Sequence, residues 1–87
     1  MLSTQALGRL GTIPLCASFS GLGRVTVGCS DGKARVFRID DGTSCGVLAG
    51  HKDAVLQLAY SPSGRLLLTT SIDGLAKVWQ PGLLANG

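Results

Sequence analysis

The strongest constraint on this chain is that it repeats itself. Asp31-Gly32-Lys33-Ala34-Arg35-Val36-Phe37 recurs 42 residues later as Asp73-Gly74-Leu75-Ala76-Lys77-Val78-Trp79. Asp, Gly, Ala, a base, Val and an aromatic match in order. Ser18-Phe19-Ser20-Gly21-Leu22-Gly23-Arg24 lies 41 residues before Ala59-Tyr60-Ser61-Pro62-Ser63-Gly64-Arg65, with Phe19 over Tyr60. One inserted residue reconciles the two offsets. A period in this range belongs to stacked supersecondary units, each of which needs its neighbours to bury a hydrophobic face.

The chemistry between the matched segments is that of strands. Asp-Gly occurs at Asp31-Gly32, Asp41-Gly42 and Asp73-Gly74, and Ser61-Pro62-Ser63-Gly64 is a further turn. Asp-Gly between apolar runs signals a hairpin, and a type I′ turn is expected, with positive φ at both central residues. The runs between the turns are Ile13 to Phe19, Arg24 to Ser30, Lys33 to Ile39, Ser44 to Ala49, Ala54 to Tyr60, Arg65 to Ser71 and Leu75 to Gln80. They are rich in Val, Thr, Ile and aromatics. Thirteen glycines and only 15% charged residues fit many turns joined by apolar strands. Alternation is weak: Leu66, Leu67 and Leu68 are consecutive. The strands are therefore expected to be buried on both faces.

These motifs resemble the WD-repeat family of β-propellers. Gly50-His51, Ser61-Pro62-Ser63-Gly64, Asp73-Gly74 and Trp79 stand in the family's order and spacing. The family's terminal Trp-Asp reads Trp79-Gln80 here. The resemblance covers residues 13–80 and implies an all-β fold of four-stranded antiparallel blades, forming part of a propeller that does not close by itself. It also implies a structural tetrad of His51, Thr69, Asp73 and Trp79. In it, indole N–H, hydroxyl, imidazole and carboxylate form a hydrogen-bonded chain, so that each polar group has a partner while buried. Gly32, Gly42, Gly64 and Gly74 are its turn glycines. A His-Asp pair beside a hydroxyl mimics a hydrolase triad, but no oxyanion-hole motif accompanies it.

The first repeat departs from the pattern. Phe37 stands for Trp79, Val27 for Thr69, and Arg9 falls at the histidine position. Its blade is expected to pack by apolar contact without a tetrad. Arg35 and Arg38 read as a solvated strand edge, with partner contacts as the alternative.

Other chemistries find little support. Net charge is +3, and the basic residues are scattered among only four aromatics, which argues against nucleic-acid binding. Cys16, Cys29 and Cys45 are odd in number and widely spaced, fitting reduced thiols of an intracellular protein rather than a disulfide framework or a zinc site. Gly21-Leu22-Gly23 lacks the third glycine of a dinucleotide loop, no Gly-Lys-Ser/Thr is present, and Asp40-Asp41-Gly42 lacks the ligands of a calcium loop. No apolar run is long enough to span a membrane. No cofactor, metal site or catalytic residue is expected.

Residues 1–12 read as an N-terminal segment, with the end of a preceding blade as the alternative. Residues 13–49 form a degenerate blade, 50–80 a second repeat of three strands, and 81–87 a tail. Function is expected to be that of a non-catalytic protein–protein interaction scaffold, cytoplasmic or nuclear, as a fragment or short isoform of a larger propeller. Its partners are other proteins, and the remaining blades or further copies of itself. The alternatives are a truncated product without independent function, and a small mitochondrial or nucleic-acid-binding protein.

Overall fold

A computed structural model describes residues 6–81. The expectations for residues 1–5 and 82–87, which open the N-terminal segment and make up nearly all of the tail, lie outside the described residues. A short 3-10 turn at Leu7–Leu10 precedes seven strands: β1 (Pro14–Phe19), β2 (Arg24–Cys29), β3 (Lys33–Arg38), β4 (Ser44–Ala49), β5 (Val55–Tyr60), β6 (Leu67–Ser71) and β7 (Ala76–Trp79). They form two antiparallel meanders, β1-β2-β3-β4 and β5-β6-β7. The sheets face one another but do not close into a ring.

The hairpin turns differ from the type I′ expectation. Among the described residues every positive φ belongs to a glycine, so the turn aspartates keep ordinary backbone angles. The reason is local. Asp31 Oδ1 accepts the Lys33 N–H at 3.1 Å, and Asp73 Oδ1 accepts the Leu75 N–H at 2.9 Å. This side-chain bond holds the aspartate, and only the next residue turns left-handed. The loops are thus of the longer kind that ends in a left-handed glycine.

Register decides which faces meet. Thr26 pairs with Val36, and Gly28 with Ala34, so these four share one face of the first sheet. Ala34 and Val36 join Cys45, Leu48 and Leu67 in the main core, against which Leu58, Tyr60 and Trp79 pack. The sheets approach closely at Gly28: a methyl there would stand 2.6 Å from Cys16 Sγ and 2.7 Å from Val55 Cγ1. The Thr26 and Tyr60 hydroxyls hydrogen-bond across the same interface.

The outward face of the first sheet is partly covered by Leu7, which packs with Cys29 and Phe37 and against Val25 and Val27. On the second sheet, the cross-strand partners Leu68 and Val78 point the other way and are 40% and 67% exposed. Burial on both faces therefore holds only where the two sheets meet. The weak alternation has a different origin: the outward positions are apolar too, and no further sheet covers them among the described residues.

Candidate functional site

The side chains of the four residues singled out in the second repeat form one chain along a face of the second sheet. His51 lies in the segment entering β5, Thr69 in β6, Asp73 in the β6–β7 turn and Trp79 at the end of β7. Trp79 Nε1–H donates to Thr69 Oγ1 at 2.8 Å. His51 Nε2 lies 2.6 Å from the same oxygen, and His51 Nδ1 lies 3.1 Å from Asp73 Oδ2. The Asp73 carboxylate can only accept, so the network assigns the imidazole proton to Nδ1, from which it is donated to Asp73. Nε2 of that tautomer accepts, so the Thr69 hydroxyl accepts from the Trp79 indole and gives its own proton to Nε2. The His51 side chain is 1% exposed and Thr69 is 0% exposed. Among the described residues no buried side-chain nitrogen or oxygen lacks a partner.

Asp73 also accepts the backbone N–H of Lys52 at 2.9 Å. Burial works against its charge. The N–H groups of Lys52 and Leu75, with His51, outweigh burial and hold the carboxyl at about 2.

The first repeat carries an ion pair where purely apolar packing was expected. Arg35 binds Asp31 through both terminal nitrogens, at 3.1 and 2.8 Å. Thr12 Oγ1 accepts the Asp31 N–H at 3.2 Å and lies 3.2 Å from Ser30 Oγ. Arg35 is 8% exposed, so it is not a solvated strand edge. Its position matches Lys77, which pairs with Thr69 on the face that carries Trp79. With Phe37 unable to donate and no histidine opposite, a guanidinium is the group on this face that neutralises the turn aspartate. Arg38 does lie at the surface, near Asp40 and Asp41. The signal available in the sequence was the repeat itself, which puts the two bases at equivalent places.

The Arg35 guanidinium holds the Asp31 carboxyl at about 2. Replacing Asp31 by Asn keeps the turn bonds but leaves Arg35 without its counter-charge. Because the Asp31 side chain is 28% exposed, solvent softens the loss, and the expected cost is about 1–2 kcal/mol in chemical denaturation. An unchanged midpoint would show that the pair contributes nothing net.

Asp31 and Asp73 also set a pH dependence. Both folded values lie below the ~3.9 of an unfolded aspartate. In that window the unfolded chain binds more protons, so stability falls as pH drops from about 4 towards 2. Thermal melts across the window should show this acid limb, and Asp73→Asn should flatten it. An identical limb in the variant would remove Asp73 from the account.

The turn glycines Gly32, Gly42, Gly64 and Gly74 all have positive φ, at 85°, 71°, 74° and 84°. The three cysteines are free thiols, with Cys29 and Cys45 buried. Among the described residues no group of His, Cys, Asp or Glu is arranged to hold a metal ion, and no helix is long and apolar enough to cross a membrane.

Comparison with known proteins agrees with this geometry. Residues 42–80 match the family model of the WD domain, G-beta repeat. That stretch takes in β4 of the first sheet and all of the second, so the sequence repeat runs out of phase with the sheets. Human Angio-associated migratory cell protein is 43% identical over 53 residues, covering 61% of this chain and 12% of that protein. Human Striatin-4 is 49% identical over 35 residues, covering 40% of this chain and 5% of that one. The chain thus spans a small part of the curated relatives it matches. Among solved structures, the β-propeller domain of Cps50 (Swd1) from Myceliophteria thermophila superposes with a TM-score of 0.77 at 21% identity, over 86% of this chain and 24% of that one. Residues 42–80 thus carry a WD repeat, and the two sheets have the fold of adjoining β-propeller blades that do not close into a ring within the described residues.

Proposed function

We propose that the chain is a non-catalytic scaffold that presents blade ends and inter-blade surfaces to protein partners inside the cell. Proteins of this family generally serve as interaction scaffolds. The observation that carries the reading is the state of His51. Both ring nitrogens are engaged, by Thr69 and Asp73, and the side chain is 1% exposed. A general base must reach a substrate proton. This imidazole instead braces the loop entering β5 against the β6–β7 turn, so the tetrad is a structural one. Free, buried Cys29 and Cys45 support an intracellular setting.

The exposed pair Leu68 and Val78 supports a further reading, that the chain works as part of a larger ring whose next blade covers this face. Light scattering on the purified chain tests it: a defined oligomer is expected, and a well-folded monomer would sink it. The scaffold reading itself is tested by saturable binding of a protein partner to the folded chain. Loss of that binding on heat denaturation is expected. Turnover of any substrate that His51→Gln abolishes without loss of β-sheet circular dichroism would overturn it.

A further inference from the structure

The repeat places two equivalent arginines at one crevice. Arg24 follows Gly21-Leu22-Gly23 at the start of β2, and Arg65 follows Pro62-Ser63-Gly64 ahead of β6, 41 residues later. Both line a crevice of about 230 Å³ between the two blades, together with Leu22, Tyr60, Gln80 and Pro81. The crevice lies at the end of the sheets opposite the His51–Asp73 contact, since the β1–β2 and β5–β6 turns frame it.

Its chemistry is divided. Leu22 is 62% exposed and, with the Tyr60 ring and Pro81, offers an apolar wall. The Tyr60 hydroxyl is already engaged by Thr26. The positive side is uncompensated. Of the chain's five acids, Asp31 neutralises Arg35, Asp40 and Asp41 lie by Arg38, Asp73 holds His51, and Asp53 accepts the Ala54 N–H. Neither Arg24 nor Arg65 forms an ion pair among the described residues. The volume is below the ~300–1,000 Å³ of small-molecule sites, so the crevice suits one or two amino-acid side chains rather than a nucleotide or other large cofactor. A guanidinium recognises carboxylate or phosphate through paired hydrogen bonds.

We propose that this crevice binds an anionic side chain of a protein partner together with the aliphatic residue beside it. The anion sits between the Arg24 and Arg65 guanidinium groups, and the aliphatic side chain lies on Leu22, Tyr60 and Pro81. The proposal rests on the scaffold reading and names the chemistry of the partner. The anion can be the carboxylate of an acidic residue or the phosphate of a phosphorylated one, which share this recognition.

Fluorescence polarisation with the full 87-residue chain tests it. The probes are fluorescein-labelled hexapeptides with the central pairs Glu-Leu, phosphoserine-Leu, Gln-Leu and Glu-Ser. Binding of Glu-Leu, phosphoserine-Leu or both is expected, and the tighter of the two identifies the anion. Gln-Leu and Glu-Ser should each bind about tenfold more weakly, and added salt should weaken the anionic peptides. The Arg24→Gln/Arg65→Gln variant should lose about tenfold for the anionic peptides and nothing for Gln-Leu. Equal affinity for Glu-Leu and Gln-Leu would overturn the proposal without recourse to any protein variant. So would the absence of binding by both anionic peptides. Should a protein partner bind saturably and equally to parent and double variant, the crevice assignment fails while the scaffold reading stands. Should no protein bind the folded chain at all, the scaffold reading fails.

Discussion

Gly32→Ala should destabilise the chain by about 3 kcal/mol, and Gly74→Ala, its counterpart one repeat later, by only about 1. The two glycines share almost the same backbone angle, with φ of 85° and 84°. An alanine at either site meets the same left-handed strain. Their surroundings differ. A methyl at Gly32 would stand 2.5 Å from the His51 carbonyl oxygen and 2.9 Å from that of Asp53, whereas nothing lies within 4 Å of one at Gly74. These oxygens belong to backbone, which cannot swing aside as a flexible side chain can. Overpacking of that kind adds roughly 1–3 kcal/mol. For a domain of this size the difference corresponds to about 10 °C in melting temperature. Equal melting temperatures for the two variants would mean that the β2–β3 turn does not bear on the segment entering β5. The contact matters because that segment carries His51. The turn of one blade thereby props the loop that the network of the next blade fastens.

This inter-blade contact marks what could and could not be read from the sequence. The strands were legible because turn residues punctuate apolar runs at regular intervals, and the observed strands fall within the seven runs expected. The presence of two antiparallel sheets was legible because the Asp-Gly-x-Ala segment recurs. The approach of Gly32 to His51 was not, because it depends on how two sheets stack, and no local spacing encodes that. The type I′ expectation failed for a local reason: Asp31 and Asp73 each bind an N–H two residues on, a competition that the dipeptide alone does not reveal. The exposed-edge reading of Arg35 failed because charge was weighed apart from register. Once Val27 is seen opposite Arg35 in the β2–β3 pairing, the base lies on the face that Phe37 also occupies. The Arg24–Arg65 crevice was latent in the repeat, but it needed the sheets side by side to become a site.

The last prediction concerns the hub of the His51 network. Thr69→Val should cost about 3 kcal/mol, more than the ~1 expected of Trp79→Phe. Valine keeps the branched shape, so little packing is lost at a position that is 0% exposed. What disappears is one oxygen that serves two partners: it accepts from the Trp79 indole and donates to His51 Nε2. Both are then left without a partner, and each buried orphan costs roughly 1–3 kcal/mol. Trp79→Phe removes a single bond and keeps an aromatic ring against the core. Combining the two substitutions should be less costly than their sum, because Phe removes one of the groups that Val would orphan. Chemical denaturation of the four proteins gives the coupling directly, and a value of about 1 kcal/mol is expected. Strict additivity would mean that Thr69 does not join the indole to the imidazole. The ranking follows from the direction of the bonds: a residue that receives one proton and passes on another is worth more to a buried chain than a residue at its end.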